Sequence, residues 1–331
     1  MFNPIGFFAP KIRGVMLAAM MGLSAAFLSE HYGAPVMLMA LLLGMSFNFM
    51  SESEATVKGV EFSATTILRV GVALLGARIT FGSLTDFGVP ILVATATLVV
   101  AVILLGVVLG RLMKLPANMG LLGGCAVAIC GASATAAVAA ILPKSQDADR
   151  SVVFTIVGIT AMSTTAMIFY PMLANWLGMD ERAIGYFLGA TIHDVAQVVG
   201  AGYGVSEYAG DTATVIKLFR VAMLAPIVFF LALFFARHQY ESRATRTFPI
   251  PGFLVVFILL MLANTMGLIT QDLSEMVASL SRWCLIVAIA AIGMRTQLNK
   301  LRKVGMAAIL LLVIETIFMA VCGSALALMF L

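Results

Sequence analysis

The sequence predicts an all-α polytopic membrane protein, and its composition and apolar patterning carry that prediction. Hydrophobic residues make up 62% of the 331 residues and charged residues only 11%, whereas a soluble domain is about half apolar and about a quarter charged. The mean hydropathy is +1.07. The apolar runs are continuous rather than alternating, which argues against a membrane barrel. A bilayer accepts such runs when helices pair every backbone amide.

The apolar runs predict about eleven membrane-crossing helices, since one crossing needs roughly 20 mostly apolar residues. We place them at 14–30, 34–50, 64–80, 87–110, 118–142, 151–174, 183–203, 214–236, 252–270, 278–296 and 304–330. The first follows Lys11 and Arg13, as a signal peptide would, but the spans after it favour a retained helix. The longest polar connection is 237–250, so we expect a single transmembrane domain over 1–331.

The basic residues of the loops predict the orientation. One predicted face collects most of the Lys and Arg residues, including Lys300, Arg302 and Lys303. The other face collects only Lys144, Arg150, Lys217, Arg220 and Arg282. We therefore expect a multi-pass protein of the bacterial inner membrane, with a cytoplasmic N-terminus and a periplasmic C-terminus.

An internal repeat indicates a transporter. Residues 76–84 read GARITFGSL, residues 293–301 read GMRTQLNKL, and Asn48 and Asn264 lie near the ends of the preceding spans. The two copies begin an odd number of spans apart, so they would be inverted in the membrane, as in alternating-access transporters. We expect repeat halves at about 34–110 and 252–330, with the central site-bearing helices at about 118–236.

The fifth span has a weak helix-forming centre at Cys130, Gly131 and Ser133. Glycine costs about 1 kcal/mol relative to alanine in a helix interior, so the helix could break near 130–133. The half-helix after the break would offer amides and a positive dipole end to an anion. The alternative is that the small residues only allow close packing, as in the Gly120-x-x-x-Gly124 pattern.

The seventh span carries ionisable residues that are costly inside a membrane. His193 and Gln197 lie one turn apart on one helix face, and Asp194 adjoins them. A His-Asp pair can carry a proton at physiological pH, so we assign proton or ion coupling to His193 and Asp194. The alternative is a structural hydrogen-bond pair that joins helices.

The eighth span opens with Lys217 and Arg220, which are neighbours on one helix face. Arginine can make forked hydrogen bonds to an oxyanion, and Lys217 could instead snorkel to the interface. We expect Asp194 or an anionic substrate to balance Arg220. Glu315 is isolated in the last span, where it would titrate with coupling or pair with an arginine.

Several runs of the sequence resemble one known family across nearly the whole chain. LRVGVALLGARIT, AICGASA, GATIHDVAQVVGAG, VIKLFRVAML and MRTQL are similar to the sulfate exporter family of YeiH-type inner-membrane proteins. That family is grouped with the bile-acid/sodium symporter-like superfamily. The resemblance implies an inverted-repeat helical fold and the export of sulfate or small organosulfonates. The matching positions are Cys130, Gly131, Ser133, His193, Asp194, Gln197, Lys217 and Arg220.

Taken together, the residues and the resemblance predict a secondary transporter that exports sulfate or a small organosulfonate or other organic anion. We assign substrate binding to Cys130, Gly131, Ser133, Gln197, Lys217 and Arg220. We expect no catalytic residue, metal, cofactor or nucleic acid; the partners are the anion, the lipid bilayer and, as an open alternative, a second copy in a homodimer. Two other functions stay open: a sodium- or proton-coupled symporter of another organic acid, and an intramembrane enzyme using His193, Asp194 and Ser133.

Overall fold

The computed structural model describes residues 10–80, 82, 87–116, 118–142, 146–236, 251–296 and 306–330. These residues form helices joined by short connections, and they contain no strand. The polar connection at 237–250 lies outside them. The helices, numbered in chain order, are α1 (Ile12–Tyr32), α2 (Val36–Ser46), α3 (Val57–Phe62), α4 (Leu68–Leu75), α5 (Gly88–Leu112), α6 (Met119–Cys125), α7 (Ala132–Ala139), α8 (Gln146–Trp176), α9 (Glu181–Thr191), α10 (Val195–Val205), α11 (Glu207–Ala222), α12 (Leu224–Ala236), α13 (Gly252–Thr265), α14 (Gln271–Arg295) and α15 (Met306–Phe330).

The prediction of a multi-pass helical membrane protein is confirmed. Within the described ranges, six helical segments are long and apolar enough to cross a membrane: Ile12–Tyr32, Gly88–Leu112, Arg150–Trp176, Glu207–Phe235, Gln271–Arg295 and Met306–Phe330. Shorter apolar helices occupy Val36–Ser46, Met119–Cys130, Val195–Val205 and Gly252–Thr265. Several predicted spans thus appear as shorter pieces, because a hydropathy window does not detect where a helix is interrupted.

The chain divides into two compact units. The first comprises Met1–Leu84, Val199–Asp211 and Gly252–Gln297, and the second comprises Thr85–Val198, Thr212–Pro251 and Leu298–Leu331. Each unit draws on distant parts of the sequence, so neither is a contiguous half of the chain.

The first unit contains two matching glycine contacts. A Cβ atom on Gly76 would lie 2.3 Å from the carbonyl oxygen of Phe257, and a Cβ atom on Gly293 would lie 2.3 Å from that of Leu41. Only glycine permits backbones to approach this closely. These contacts join the segment after α4 to α13, and α14 to α2.

Two asparagines add hydrogen bonds at the same helix ends. Asn48 Nδ2 donates to the carbonyl oxygens of Met294, at 3.1 Å, and Thr296, at 2.9 Å. Asn264 Nδ2 donates to the carbonyl oxygen of Ile79 at 3.4 Å. Each asparagine therefore binds the repeat motif of the opposite half. Residues 81, 83–86 and 297–305 lie outside the described part, so the two motifs are seen only in part.

The second unit packs α5 against α6 through glycines. A Cβ atom on Gly120 would lie 2.2 Å from the carbonyl oxygen of Gly106, and one on Gly124 would lie 2.9 Å from the Cα of Ile103. The Gly120-x-x-x-Gly124 pattern thus serves close helix packing here. This packing holds α6 in place, and α6 leads directly into residues 126–130.

Candidate functional site

Two helical segments of the second unit are interrupted, and the interruptions adjoin each other. After α6, a π-helical turn over Ala126–Cys130 ends at Gly131, and α7 begins at the next residue. Gly131 has a φ of 62° and a ψ of −122°, a backbone conformation that favours glycine. The second interruption begins at Ile192, where α9 ends with an extended φ of −66° and ψ of 142°. His193 and Asp194 are not helical, and α10 starts at Val195.

Lys217, on α11, joins the two interruptions. Its ammonium donates to the carbonyl oxygens of Ile129 at 2.7 Å, Ile192 at 2.9 Å and His193 at 2.5 Å. These contacts use all three donors of the ammonium group. The side chain is fully buried, so it does not snorkel to the interface.

Arg220 makes a second connection one turn further along α11. Its guanidinium donates from Nε to Ala128 at 2.9 Å, from Nη2 to Val127 at 2.8 Å, and from Nη1 to Gly189 at 2.8 Å and Ile192 at 2.9 Å. All four acceptors are backbone carbonyl oxygens. Like Lys217, Arg220 has no exposed surface.

The two cations therefore satisfy the carbonyl ends of two helical segments. The last carbonyls of a helix lack intrahelical partners and carry the negative end of the helix dipole. Within the described residues, neither Lys217 nor Arg220 has a carboxylate oxygen within 4.0 Å. The expectation that Asp194 pairs with Arg220 is wrong, because the carbonyls freed by the interruptions take that place.

Asp194 instead caps the N-terminus of α10. Its Oδ1 accepts a hydrogen bond from the amide of Ala196 at 2.9 Å, and its own amide donates to Ser163 Oγ at 3.0 Å. Ser163 Oγ donates in turn to Gln197 Oε1 at 3.4 Å. Gln197 is almost fully buried, whereas Asp194 is the member of this group that keeps partial exposure.

Ser133 lies in the first turn of α7 and is exposed. The amides of Ala132 and Ser133 belong to the helix N-terminus, where N–H groups lack intrahelical acceptors. Cys130 is 4% exposed, and its side chain has a hydrogen bond with the backbone of Ala134. The structure therefore places Ser133 at an accessible helix start and places Cys130 and Gly131 inside the packing.

His193 is fully buried, and both its ring nitrogens have partners. Nδ1 lies 3.2 Å from the carbonyl oxygen of Val127, and Nε2 lies 3.0 Å from Thr316 Oγ1. A neutral imidazole that donates from Nδ1 and accepts at Nε2 fits both contacts. This geometry favours the role of His193 as a hydrogen-bonded joint between helices.

Sequence reasoning did not identify Ser163, which accepts a hydrogen bond from the amide of Asp194, or Thr316, which is hydrogen-bonded to His193. Serine and threonine are frequent in the apolar spans, and nothing in the sequence distinguishes these two from the others. The carbonyl acceptors were also invisible, since every residue has one. Over the described ranges, no group of three or more His, Cys, Asp and Glu side chains could hold a metal ion.

These features define a multi-pass helical membrane protein with buried cations at the ends of interrupted helices.

A family model described as Conserved hypothetical protein 698 matches residues 13–312. The chain is 48% identical over 321 residues to a UPF0324 membrane protein of Chlorobaculum tepidum, covering 95% of this chain and 90% of the relative. It is also 48% identical over 311 residues to the UPF0324 membrane protein TauZ of Paracoccus denitrificans, covering 93% and 92%.

A UPF0324 membrane protein of Rhizobium meliloti is 47% identical over 310 residues, covering 93% of this chain and 90% of the relative. The chain therefore belongs to the UPF0324 family of membrane proteins. No solved structure gives a significant match to it.

Proposed function

We propose that this protein is a secondary transporter of the bacterial inner membrane that exports sulfate, a small organosulfonate or a similar organic anion. One observation carries the proposal: two helical segments are interrupted side by side, and two buried cations hold their carbonyl ends. Interrupted helices whose termini face a binding site are the recurring substrate sites of secondary transporters. A purely structural span gains nothing from such a break, because each freed backbone group is costly in a membrane.

The anion would bind at the start of α7. There the amides of Ala132 and Ser133 and the Ser133 hydroxyl are donors, and the helix dipole favours negative charge. Lys217 and Arg220 contribute two positive charges nearby, against one carboxylate at Asp194. The two cations would attract the anion through their field, while their hydrogen bonds remain with the carbonyls.

Asp194 would make anion binding depend on protons. An ionised carboxylate beside the proposed anion position repels the anion, and protonation removes that repulsion. Of the two residues assigned to coupling, the geometry favours Asp194, because it is partly exposed while His193 is sealed. The same burial argues against the intramembrane enzyme, since both nitrogens of His193 are occupied and neither is available to activate Ser133.

The reciprocal contacts in the first unit support an inverted repeat. A Cβ atom on either Gly76 or Gly293 would lie 2.3 Å from a carbonyl oxygen, and Asn48 and Asn264 each bind the opposite motif. An axis that exchanges the two repeats would produce such a pattern. We include in the proposal the inverted repeats, about eleven spans with a broken fifth span, and the cytoplasmic N-terminus and periplasmic C-terminus.

Anion efflux from proteoliposomes tests the proposal. Vesicles that contain purified protein are loaded separately with labelled sulfate, sulfite, sulfonates and dicarboxylates. We expect at least one sulfur oxyanion to leave faster than from protein-free vesicles. Replacing Ser133→Ala removes one hydrogen bond to a charged ligand, which corresponds to roughly 10- to 100-fold weaker binding.

The matched control is Ser24→Ala. Ser24 is also exposed, but its hydroxyl bonds within its own helix to the carbonyl of Met20, so efflux should not change. Selective efflux of dicarboxylates would favour the symporter of another organic acid. Efflux of no anion above the protein-free rate would overturn the proposal.

A further inference from the structure

Glu315, in the middle of α15, is a buried carboxyl group with no hydrogen-bond partner. The residue is 0% exposed, and neither Oε1 nor Oε2 has a partner among the described residues. No cation lies within 4.0 Å of it in the described ranges. Buried carboxyl groups are normally paired or hydrogen-bonded, so this one requires a specific explanation.

The carboxyl group lies where α5 and α6 approach most closely. A Cβ atom on Gly106 would lie 2.3 Å from Oε1, and one on Gly123 would lie 3.1 Å from Oε2. The glycines thus leave space for the carboxyl group, while the surrounding helices exclude water from it. Any side chain at Gly106 would collide with Glu315.

The surroundings offer no charge to balance a carboxylate. The titratable side chain that interacts with Glu315 is the buried thiol of Cys125, on α6. From α5, α8 and α9, which also pack on α15, no described Lys, Arg or His nitrogen lies within 4.0 Å of the carboxyl group. An isolated carboxylate in such an environment is far too costly to persist, so the group holds a proton.

A metal cation would not serve in place of the proton. Ca²⁺ takes six or more oxygen ligands, with carboxylates prominent among them, and no group of three or more His, Cys, Asp and Glu side chains in the described ranges could hold a metal ion. A proton needs one oxygen only. A single isolated carboxyl group therefore suits a proton better than a metal ion.

The same helix connects Glu315 with the interruptions. Thr316, the next residue, bonds to His193 at 3.0 Å. One turn after Glu315, Met319 Sδ lies 3.6 Å from Nη2 of Arg220. A rearrangement of the interrupted segments would therefore shift α15 and change the access of water to the carboxyl group.

We propose that Glu315 is a proton-binding site inside the membrane, protonated in this conformation, whose release of the proton drives anion transport. The inference rests on the proposed transport function and adds to it a second proton site, apart from the one assigned to Asp194. An ionisable residue inside a membrane is expensive and is usually retained for function. Here the function is to carry one proton for each conformational cycle.

Two measurements on reconstituted full-length protein test this. The first is infrared difference spectroscopy between the wild type and Glu315→Gln, which keeps the shape of the side chain and removes its proton. We expect the wild type at neutral pH to show the carbonyl band of a protonated carboxylic acid and the variant to lose it. Glu275→Gln, at an exposed glutamate, should leave that band unchanged. Equal bands in the wild type and Glu315→Gln would overturn the proposal.

The second measurement imposes a pH gradient across proteoliposomes and follows anion flux. In Glu315→Gln we expect flux down the anion's own gradient to continue and flux driven by the pH gradient to fall at least tenfold, while the pH dependence of anion binding through Asp194 remains. Unchanged pH-driven flux, or a pH gradient that drives no flux in the wild type, would overturn the coupling role. No anion flux at all in the wild type would remove the proposed function, and the infrared band would still decide whether Glu315 holds a proton.

Discussion

Arg220 gives the sharpest test of how the two interruptions are held together. Its four hydrogen bonds to backbone carbonyls give it a structural role beside the electrostatic one proposed above. Glutamine offers two amide donors, so Arg220→Gln leaves about two of the four carbonyls without a partner. A buried acceptor that loses its partner costs about 1–3 kcal/mol. The free energy of unfolding should therefore fall by roughly 2–6 kcal/mol.

The assay is chemical denaturation of the purified protein in mixed micelles. The matched control is Arg295→Gln, because Arg295 is half exposed and reaches Glu61 only at 3.9 Å. Exposed ion pairs contribute about 0–1 kcal/mol, so the control should unfold within about 1 kcal/mol of the wild type. If Arg220→Gln is as stable as Arg295→Gln, the four carbonyl contacts do not hold the interruptions, and the reasoning fails.

Three other changes test further parts of the account. Gly131→Ala places a side chain at a φ of 62° and should lower the free energy of unfolding by about 1–3 kcal/mol. Gly204→Ala, within α10, should leave the free energy of unfolding unchanged. Gly293→Ala forces a Cβ atom to within 2.3 Å of a carbonyl oxygen, so it should also unfold earlier; a melting temperature equal to that of the wild type would refute the close contact. Asp194→Asn should make the KM for the anion less dependent on pH, because the variant has no carboxyl group to ionise. His193→Gln should keep that dependence, because both ring nitrogens of His193 are already hydrogen-bonded; the reverse result in pH-dependent flux assays would return coupling to His193.

The apolar composition was sufficient to predict a helical membrane protein, because hydrophobicity and continuous apolar runs are local properties of the sequence. The number of span-length helices was harder to predict. Met119–Cys130 and Ala132–Ala139 form one apolar run in the sequence, yet Gly131 separates them. Whether a glycine interrupts a helix depends on the partners that the freed carbonyls find elsewhere in the fold.

The site illustrates the same limit. Lys217 and Arg220 were identifiable because cations are rare in apolar spans, and a carboxylate or an anion was the natural partner to expect. Their actual partners are carbonyl oxygens that become available only where α6 and α9 end. The isolation of Glu315 was visible in the sequence, but its contact with Gly106 depends on the packing of three helices.

Protection of an engineered thiol tests anion binding at the start of α7. Ser133→Cys is placed at an exposed position, with Cys284 and Cys322, the partly exposed native cysteines, replaced by alanine. Its rate of labelling by a thiol reagent is measured with and without the transported anion, and Ala140→Cys, exposed at the other end of α7, serves as the control. We expect the anion to slow labelling at 133 and not at 140. Equal rates at 133 with and without the anion would contradict it.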